Sequence, residues 1–213
     1  MSDLQIIGQR SSHFTRVPLL FAQELGVALQ VVPVYDMTAL GPQMYAGNPA
    51  LKLPILRVED TVLFGAQNIC RAIAERTARP ARIVWPEELR DTVSRNAQEM
   101  VWHGMAAQVQ LVFGTVLCKL PADNVYFTKA RAGFEGALSW LEAHLEQALA
   151  ALPAPRDLSL LEVSLFCLLD HLLFRPTLTL HAYPALQRFG ETFATRPAAK
   201  HTTYQFDVAP AGS

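Results

Sequence analysis

The polar segment at residues 11–16, Ser-Ser-His-Phe-Thr-Arg, combines side chains that can donate hydrogen bonds and exchange protons. Helical spacing begins within this segment, from about Thr15, so Ser11 or Ser12 could simply cap that helix. His13 could act as a general base, or it could be a partly exposed loop residue that packs on Phe14. The residues alone leave these alternatives open.

The three cysteines do not suggest redox or metal chemistry. Cys70, Cys118 and Cys167 are widely spaced, form no C-x-x-C pair and lie in apolar or helical contexts. We therefore interpret all three as free buried thiols and predict no metal site.

Two kinds of periodicity divide the chain. In the first part, the pattern predicts the order β-α-β, connector, β-β-α, which is the order of a thioredoxin-like domain. The predicted strands are at 4–7, 29–34, 54–58 and 62–64, and the predicted helices are at 15–25 and 69–76. From residue 88 the strand signals vanish, and we predict helices at 88–117, 125–151, 160–174 and 184–195.

These patterns predict an α/β domain at 1–78, a proline-bounded linker at 79–87, an all-helical domain at 88–202 and a tail at 203–213. Within the helical part, Ser159 followed by Glu162 predicts an N-terminal capping box. The apolar helix after it should lie at the centre of the second domain.

Composition excludes several classes of function. Lys and Arg (18) nearly balance Asp and Glu (19), and no clustered basic face argues for nucleic-acid binding. The most apolar stretch, 160–174, is too short for a membrane span, which needs about 20 residues. The N-terminal residues show no secretion signal, so we expect a cytoplasmic protein without a membrane partner.

Four local patterns resemble the glutathione S-transferase superfamily. Residues 11–17 are similar to its catalytic loop, in which a Ser or Cys, here Ser11, lies five residues before an Arg. Residues 48–56 resemble its segment with a cis-proline, here Pro54. The segment at 158–162 is similar to the family's capping box, and 183–197 resembles its closing helix. The likeness runs from residue 4 to about 202 and implies the glutathione-transferase fold.

The resemblance implies a glutathione site. Ser11, with Ser12 as the fallback, would donate a hydrogen bond to the glutathione sulfur, because a donor and a helix N-terminus stabilise a thiolate. Leu53, just before Pro54, would pair its backbone with the cysteinyl part of glutathione. Arg16 would have a structural role.

The chain departs from the family pattern at Gly65-Ala66, where Glu-Ser or Gln-Ser usually holds the γ-glutamyl carboxylate. Ala66 retains a backbone N–H at a helix N-terminus, which is an anion site. Gln67 and Asn68 could substitute if the turn is displaced, although the spacing of the following isoleucines supports the register used here.

The resemblance further implies a homodimer with glutathione as co-substrate and a small hydrophobic electrophile as second substrate. Candidates for the electrophile pocket are Phe14, Trp102, His103 and Met105, for which core packing is the alternative. We therefore expect a glutathione transferase. The alternative is a non-catalytic ligand-binding or protein-interaction module of the same fold, with weak or no glutathione binding.

Overall fold

The computed structural model describes residues 4–209. The chain divides into two compact units: the first contains the chain up to Ala81 and again from Arg196, and the second spans Arg82–Thr195. The predicted fold class is confirmed, with a thioredoxin-like sheet domain followed by a mostly helical region. The sequence analysis assigned residues 88–202 to one helical domain and did not predict that the chain returns to the first unit from Arg196.

The first unit is built on a four-stranded sheet. Its strands are β1 (Gln5–Gly8), β2 (Gln30–Pro33), β3 (Ile55–Val58) and β4 (Thr61–Phe64), and they lie in the order β2-β1-β3-β4. Strand β1 pairs in parallel with β2 and antiparallel with β3, which pairs antiparallel with β4.

Helices α1 (His13–Leu25) and α2 (Ala66–Ala74) pack against each other in the same unit. On one face of the sheet, the paired residues Ile7 and Ile55 form an apolar cluster with Val34 and Tyr45. Because side chains alternate along a strand, the fully buried Ile6 of β1 points to the opposite face of the sheet. The sheet therefore carries apolar cover on both faces.

Glycine at position 8 permits a close approach between β1 and α1. A Cβ there would lie 2.6 Å from the Thr15 hydroxyl oxygen, which is a severe clash. The segment between Gly8 and the helix is therefore short and tightly packed.

The second unit is mainly helical, with helices α3 (Thr92–Leu111), α4 (Val125–Ala150), α5 (Leu160–Phe174) and α6 (Pro184–Ala194). The two longest, α3 and α4, pack together extensively. A π-helical segment, Val112–Leu117, continues α3. As predicted, α5 is buried on nearly every face.

The N-terminus of α5 confirms the predicted cap. Ser159 is the N-cap, and its Oγ accepts a hydrogen bond from the Glu162 N–H at 3.0 Å. The Glu162 carboxylate accepts from the Ser159 hydroxyl at 2.7 Å and from the Arg156 guanidinium at 2.9 Å through each oxygen. This capping network therefore includes an arginine that the sequence pattern did not indicate.

The segment interpreted as a linker contains regular structure. Strand β5 (Ile83–Val84) pairs in parallel with β6 (Leu158–Ser159) in the second unit. A final short helix, α7 (Pro197–His201), belongs to the first unit and was also not predicted.

One helical stretch of the described residues, Thr92–Leu117, has a length and composition that could cross a membrane, and 44% of its most apolar window is buried inside the structure. Buried core helices meet the same test, so the signal is weak.

Candidate functional site

Three segments with predicted site residues meet at one end of the sheet in the first unit. In the strand register, Ile7 pairs with Ile55, which pairs with Phe64. The end of β1, the start of β3 and the end of β4 therefore lie side by side. We call this region, formed by residues 9–12, 53–54 and 65–67, the site end of the sheet.

Ser11 lies in a tight turn at the site end. The Ser12 N–H donates to the Gln9 carbonyl at 3.0 Å, and Ser12 is the N-cap of α1. The Ser11 side chain is buried, with 7% of the residue exposed, and its hydroxyl donates to Gln9 Oε1 at 3.4 Å. A hydrogen bond of that length is weak.

Ser12 does not act as a side-chain cap of α1. Ser12 occupies the N-cap position, but it makes no side-chain hydrogen bond to the first turn. The capping explanation for Ser12 therefore lacks its defining hydrogen bond.

Gln9 is a residue that the sequence patterns did not single out. Its Nε2 donates to the Val34 carbonyl at 2.9 Å while its Oε1 faces the Ser11 hydroxyl. The Gln9 amide therefore joins the loop that contains Ser11 to the residue that follows β2. No local signal identifies it, since Val34 is 25 positions away.

The prediction that His13 is a partly exposed loop residue is wrong. His13 is the first residue of α1 and only 2% exposed, rather than a partly exposed loop residue. The helix begins two residues earlier than predicted, which turns the ring inward. The contact with Phe14 is present, with ring centroids 4.8 Å apart.

Arg16 contacts the C-terminal segment. It is 2% exposed, donates from NH2 to the Ala199 carbonyl at 3.2 Å, and lies 4.3 Å from the centroid of the Tyr204 ring. These contacts fit the structural role expected for it.

The segment before β3 has the expected backbone form. The Leu53–Pro54 peptide bond is cis, which confirms the prediction. Within residues 4–209, the Leu53 backbone makes no hydrogen bond, whereas the Pro54 carbonyl accepts from the Gly65 N–H at 3.3 Å. The Leu53 side chain packs against the apolar cluster around Tyr45, so it is the backbone that can bind a peptide.

The Asn48 side chain stabilises the turn at residues 48–52 through hydrogen bonds to the backbone. It is 5% exposed, donates from Nδ2 to the Lys52 carbonyl at 2.8 Å, and accepts from the Ala50 N–H at 3.0 Å. Asparagine commonly stabilises turns through such local bonds. Asn48 begins the segment 48–56 that resembles the family's cis-proline segment, but the resemblance does not predict that its side chain holds residues 48–52.

The start of α2 keeps the predicted register. Gly65 is the N-cap, with φ 87° and ψ 140°, and the helix begins at Ala66. The Asn68 amide donates to the Phe64 carbonyl at 3.1 Å and is thus engaged. Gln67 is half-buried, and its side chain makes no hydrogen bond within residues 4–209. Of the two polar substitutes, Gln67 is therefore the available one.

The candidates for the electrophile pocket lie in different units. Phe14 is half-buried in the first unit. In the second unit, Trp102 is half-buried, His103 is exposed and Met105 is only 1% exposed. Met105 is thus a core side chain of α3, and the pocket assignment stays a prediction.

The cysteines match the expectation in part. Cys70 and Cys167 are buried, but Cys118 is exposed because it follows the π-helical segment at the surface. Among residues 4–209, no group of three His, Cys, Asp or Glu side chains is arranged to hold a metal ion.

Comparison with known proteins agrees with this geometry. Residues 11–76 match the family model of the glutathione S-transferase N-terminal domain. Similar solved structures include a glutathione S-transferase from Methylobacillus flagellatus KT with glutathione bound, at 20% identity and TM-score 0.75, covering 95% of this chain and 100% of that one. A glutathione transferase family member from Pseudomonas fluorescens Pf-5 with bound glutathione has 22% identity, TM-score 0.75 and the same coverage.

A glutathione S-transferase from Methylobacterium radiotolerans, in complex with glutathione sulfonate, is 17% identical with TM-score 0.74 and covers 100% of both chains. None of the curated proteins matches the chain. The chain therefore has the fold of the glutathione S-transferases, and its residues 11–76 match the model of their N-terminal domain.

Proposed function

We propose that this protein is a glutathione transferase that binds glutathione at the site end of the sheet and directs its thiolate to a small electrophile. The observation that carries the proposal is the meeting of the Ser11 hydroxyl, the unpaired Leu53 backbone and the start of α2 in one region. Two of the similar structures hold glutathione, which supports the choice of ligand.

Binding would rest mainly on the backbone. The N–H and C=O of Leu53 would pair with the cysteinyl residue of glutathione as an added strand. The γ-glutamyl carboxylate would accept hydrogen bonds from the N–H groups that begin α2, with Gln67 as a side-chain donor. Since Gly65 has no side chain to add, we expect weak binding, in the millimolar range.

Activation of the thiol would fall to Ser11. A thiol with a pKa of about 8.5 is mostly protonated at neutral pH. A hydrogen bond from the Ser11 hydroxyl, together with the positive end of α1, would stabilise the thiolate and lower that pKa. Ser11 is a donor here, so the thiol proton leaves to solvent.

The chemical step is a displacement. The thiolate forms a carbon–sulfur bond to an electrophilic carbon, and the leaving group, such as a halide, departs with its bonding electrons. No cysteine occupies the loop at 9–12, so a ping-pong reaction through a protein thiol is not proposed.

Gly65 favours a second candidate function. Without a side chain at the N-cap of α2, the fold could serve as a ligand-binding or protein-interaction module with little glutathione binding. Calorimetry with glutathione and turnover of an aryl halide separate the two. Measurable glutathione binding together with turnover of the aryl halide supports the transferase. If neither glutathione nor the aryl halide binds at millimolar concentration, the result favours the module.

The assembly and the location of the protein belong to the same proposal. We propose a homodimer in the cytoplasm, because symmetric dimers are the commonest oligomers and the family resemblance implies one. Light scattering at micromolar concentration tests the dimer, and a strictly monomeric mass would contradict it.

A further inference from the structure

The chain returns to the first unit after α6 and follows α1 along its length. We call residues 196–209 the C-terminal strap. Near the end of α1, Arg196 Nε contacts Glu24 Oε1 at 2.5 Å. Near the start of α1, the Tyr204 ring lies against the Arg16 guanidinium. The strap thus contacts both ends of this helix.

Asp207 extends the strap to the loop that holds Ser11. Its Oδ2 accepts a hydrogen bond from the Arg10 backbone N–H at 2.8 Å, and its Oδ1 accepts from Arg10 NH1 at 2.7 Å. The Asp207 side chain is 4% exposed, whereas that of Arg10 is 34% exposed. One carboxylate therefore holds both the main chain and the side chain of a single loop residue.

The contact between Asp207 and Arg10 affects the turn that contains Ser11, because Arg10 is part of that turn. In the sequence, Arg10 lies between Gln9 and Ser11, and the Gln9 side chain accepts a hydrogen bond from the Ser11 hydroxyl. Holding the Arg10 N–H fixes the peptide plane that precedes it and limits rotation of the turn. Charge-assisted hydrogen bonds are shorter and stronger than neutral ones, and here they join residues 197 positions apart.

We propose that Asp207 is a positioning residue for Ser11, through which the C-terminal strap sets the geometry of thiolate activation. This rests on the proposed transferase function. Asp207 does not touch glutathione or the electrophile in this scheme. It acts by keeping the Ser11 hydroxyl directed to the place where the sulfur binds, which requires precision of a fraction of an ångström.

The chain offers a matched control for this effect. Glu24 pairs with Arg196 and so also fastens the strap to α1, but at the end away from the loop. Glu24→Gln weakens that ion pair without touching residues 9–12. A general loosening of the strap should affect both variants, whereas positioning of Ser11 should depend on Asp207 alone.

The experiment compares Asp207→Ala, Asp207→Asn and Glu24→Gln with the wild type in glutathione conjugation to an aryl halide. We expect Asp207→Ala to lower kcat about tenfold and to shift the thiol pKa in the pH profile of kcat/KM upward, with glutathione affinity by calorimetry changed less than threefold. Asp207→Asn keeps an acceptor for the Arg10 N–H, so it should recover part of the rate. Glu24→Gln should keep the wild-type pH profile even where the melting temperature falls.

Each result decides the proposal. If Asp207→Ala and Glu24→Gln give the same pH profile, the strap is merely structural and the proposal is overturned. If Asp207→Ala does not fold, Asp207→Asn decides alone, and a wild-type profile in that variant counts against the proposal. A wild type that neither binds glutathione nor turns over the aryl halide overturns the proposed function, and this inference falls with it.

Discussion

Two helices, α1 and α2, begin at the same end of the sheet, but they offer different chemistry there. The start of α1 follows a polar loop in which Ser11, Gln9 and Arg10 are held by hydrogen bonds. The start of α2 follows Gly65, which has positive φ and no side chain. One end therefore presents an oriented hydroxyl, and the other presents mainly backbone N–H groups.

The difference separates the two tasks of a transferase site. Changes at α1 should alter the rate, because in the proposed function the Ser11 hydroxyl would act there on the reacting sulfur. Changes at α2 should alter affinity, because the groups there would hold the distant carboxylate of glutathione. Substitutions at the two helix starts can therefore test whether the tasks are separate.

The largest effect is expected for Ser11→Ala. Removing a donor to a stabilised negative charge should lower kcat/KM roughly tenfold to thousandfold, while glutathione affinity changes less. Steady-state kinetics with an aryl halide measures this. The neighbouring Ser12→Ala is the control, because Ser12 makes no capping hydrogen bond; a larger loss in Ser12→Ala would transfer the role to the fallback serine.

The next effect concerns stability at the start of α2. Gly65 adopts φ 87°, where L side chains are strained, although an added Cβ would meet no atom within 4 Å. Gly65→Ala should therefore lower the free energy of unfolding by about 1–3 kcal/mol through backbone strain alone. Urea unfolding measures it, and an unchanged midpoint would show that the turn can relax.

A gain of affinity is expected for Ala66→Ser. The family pattern suggests Gln-Ser at 65–66, but a Gln at position 65 would carry the strain just described. The serine alone adds a hydroxyl at the first helical residue, and a hydrogen bond to a charged carboxylate contributes about 1.5–3 kcal/mol. Calorimetry should show glutathione binding about tenfold tighter. No gain would mean that another group already satisfies the carboxylate.

The smallest effect is expected for Gln67→Ala. Its side chain is the available donor beside the proposed position of the glutathione carboxylate, so its loss should weaken glutathione binding about threefold to tenfold. Asn68→Ala is the matched control, since the Asn68 amide already bonds to the Phe64 carbonyl. Equal losses in the two variants, measured by calorimetry, would contradict the assignment of Gln67.

Part of the site could be predicted from sequence because its determinants are local. Ser159 and Glu162 are three residues apart, and their spacing alone indicates the cap that the structure contains. Gly65-Ala66 likewise marks the start of α2, since the isoleucines that follow set the helical register. His13 was misplaced because a shift of two residues in the helix start changes which side chains point inward.

The sequence by itself determined the order of strands and helices, the place of Pro54 before β3 and the departure from the family pattern at Gly65. Each of these depends on residues within a turn or two of one another, where periodicity and capping act. Only the tertiary structure decided that Gln9 reaches Val34, that Arg16 lies against Tyr204 and that Asp207 holds Arg10. Those contacts join positions 25 to 197 residues apart, and packing of the whole unit selects them.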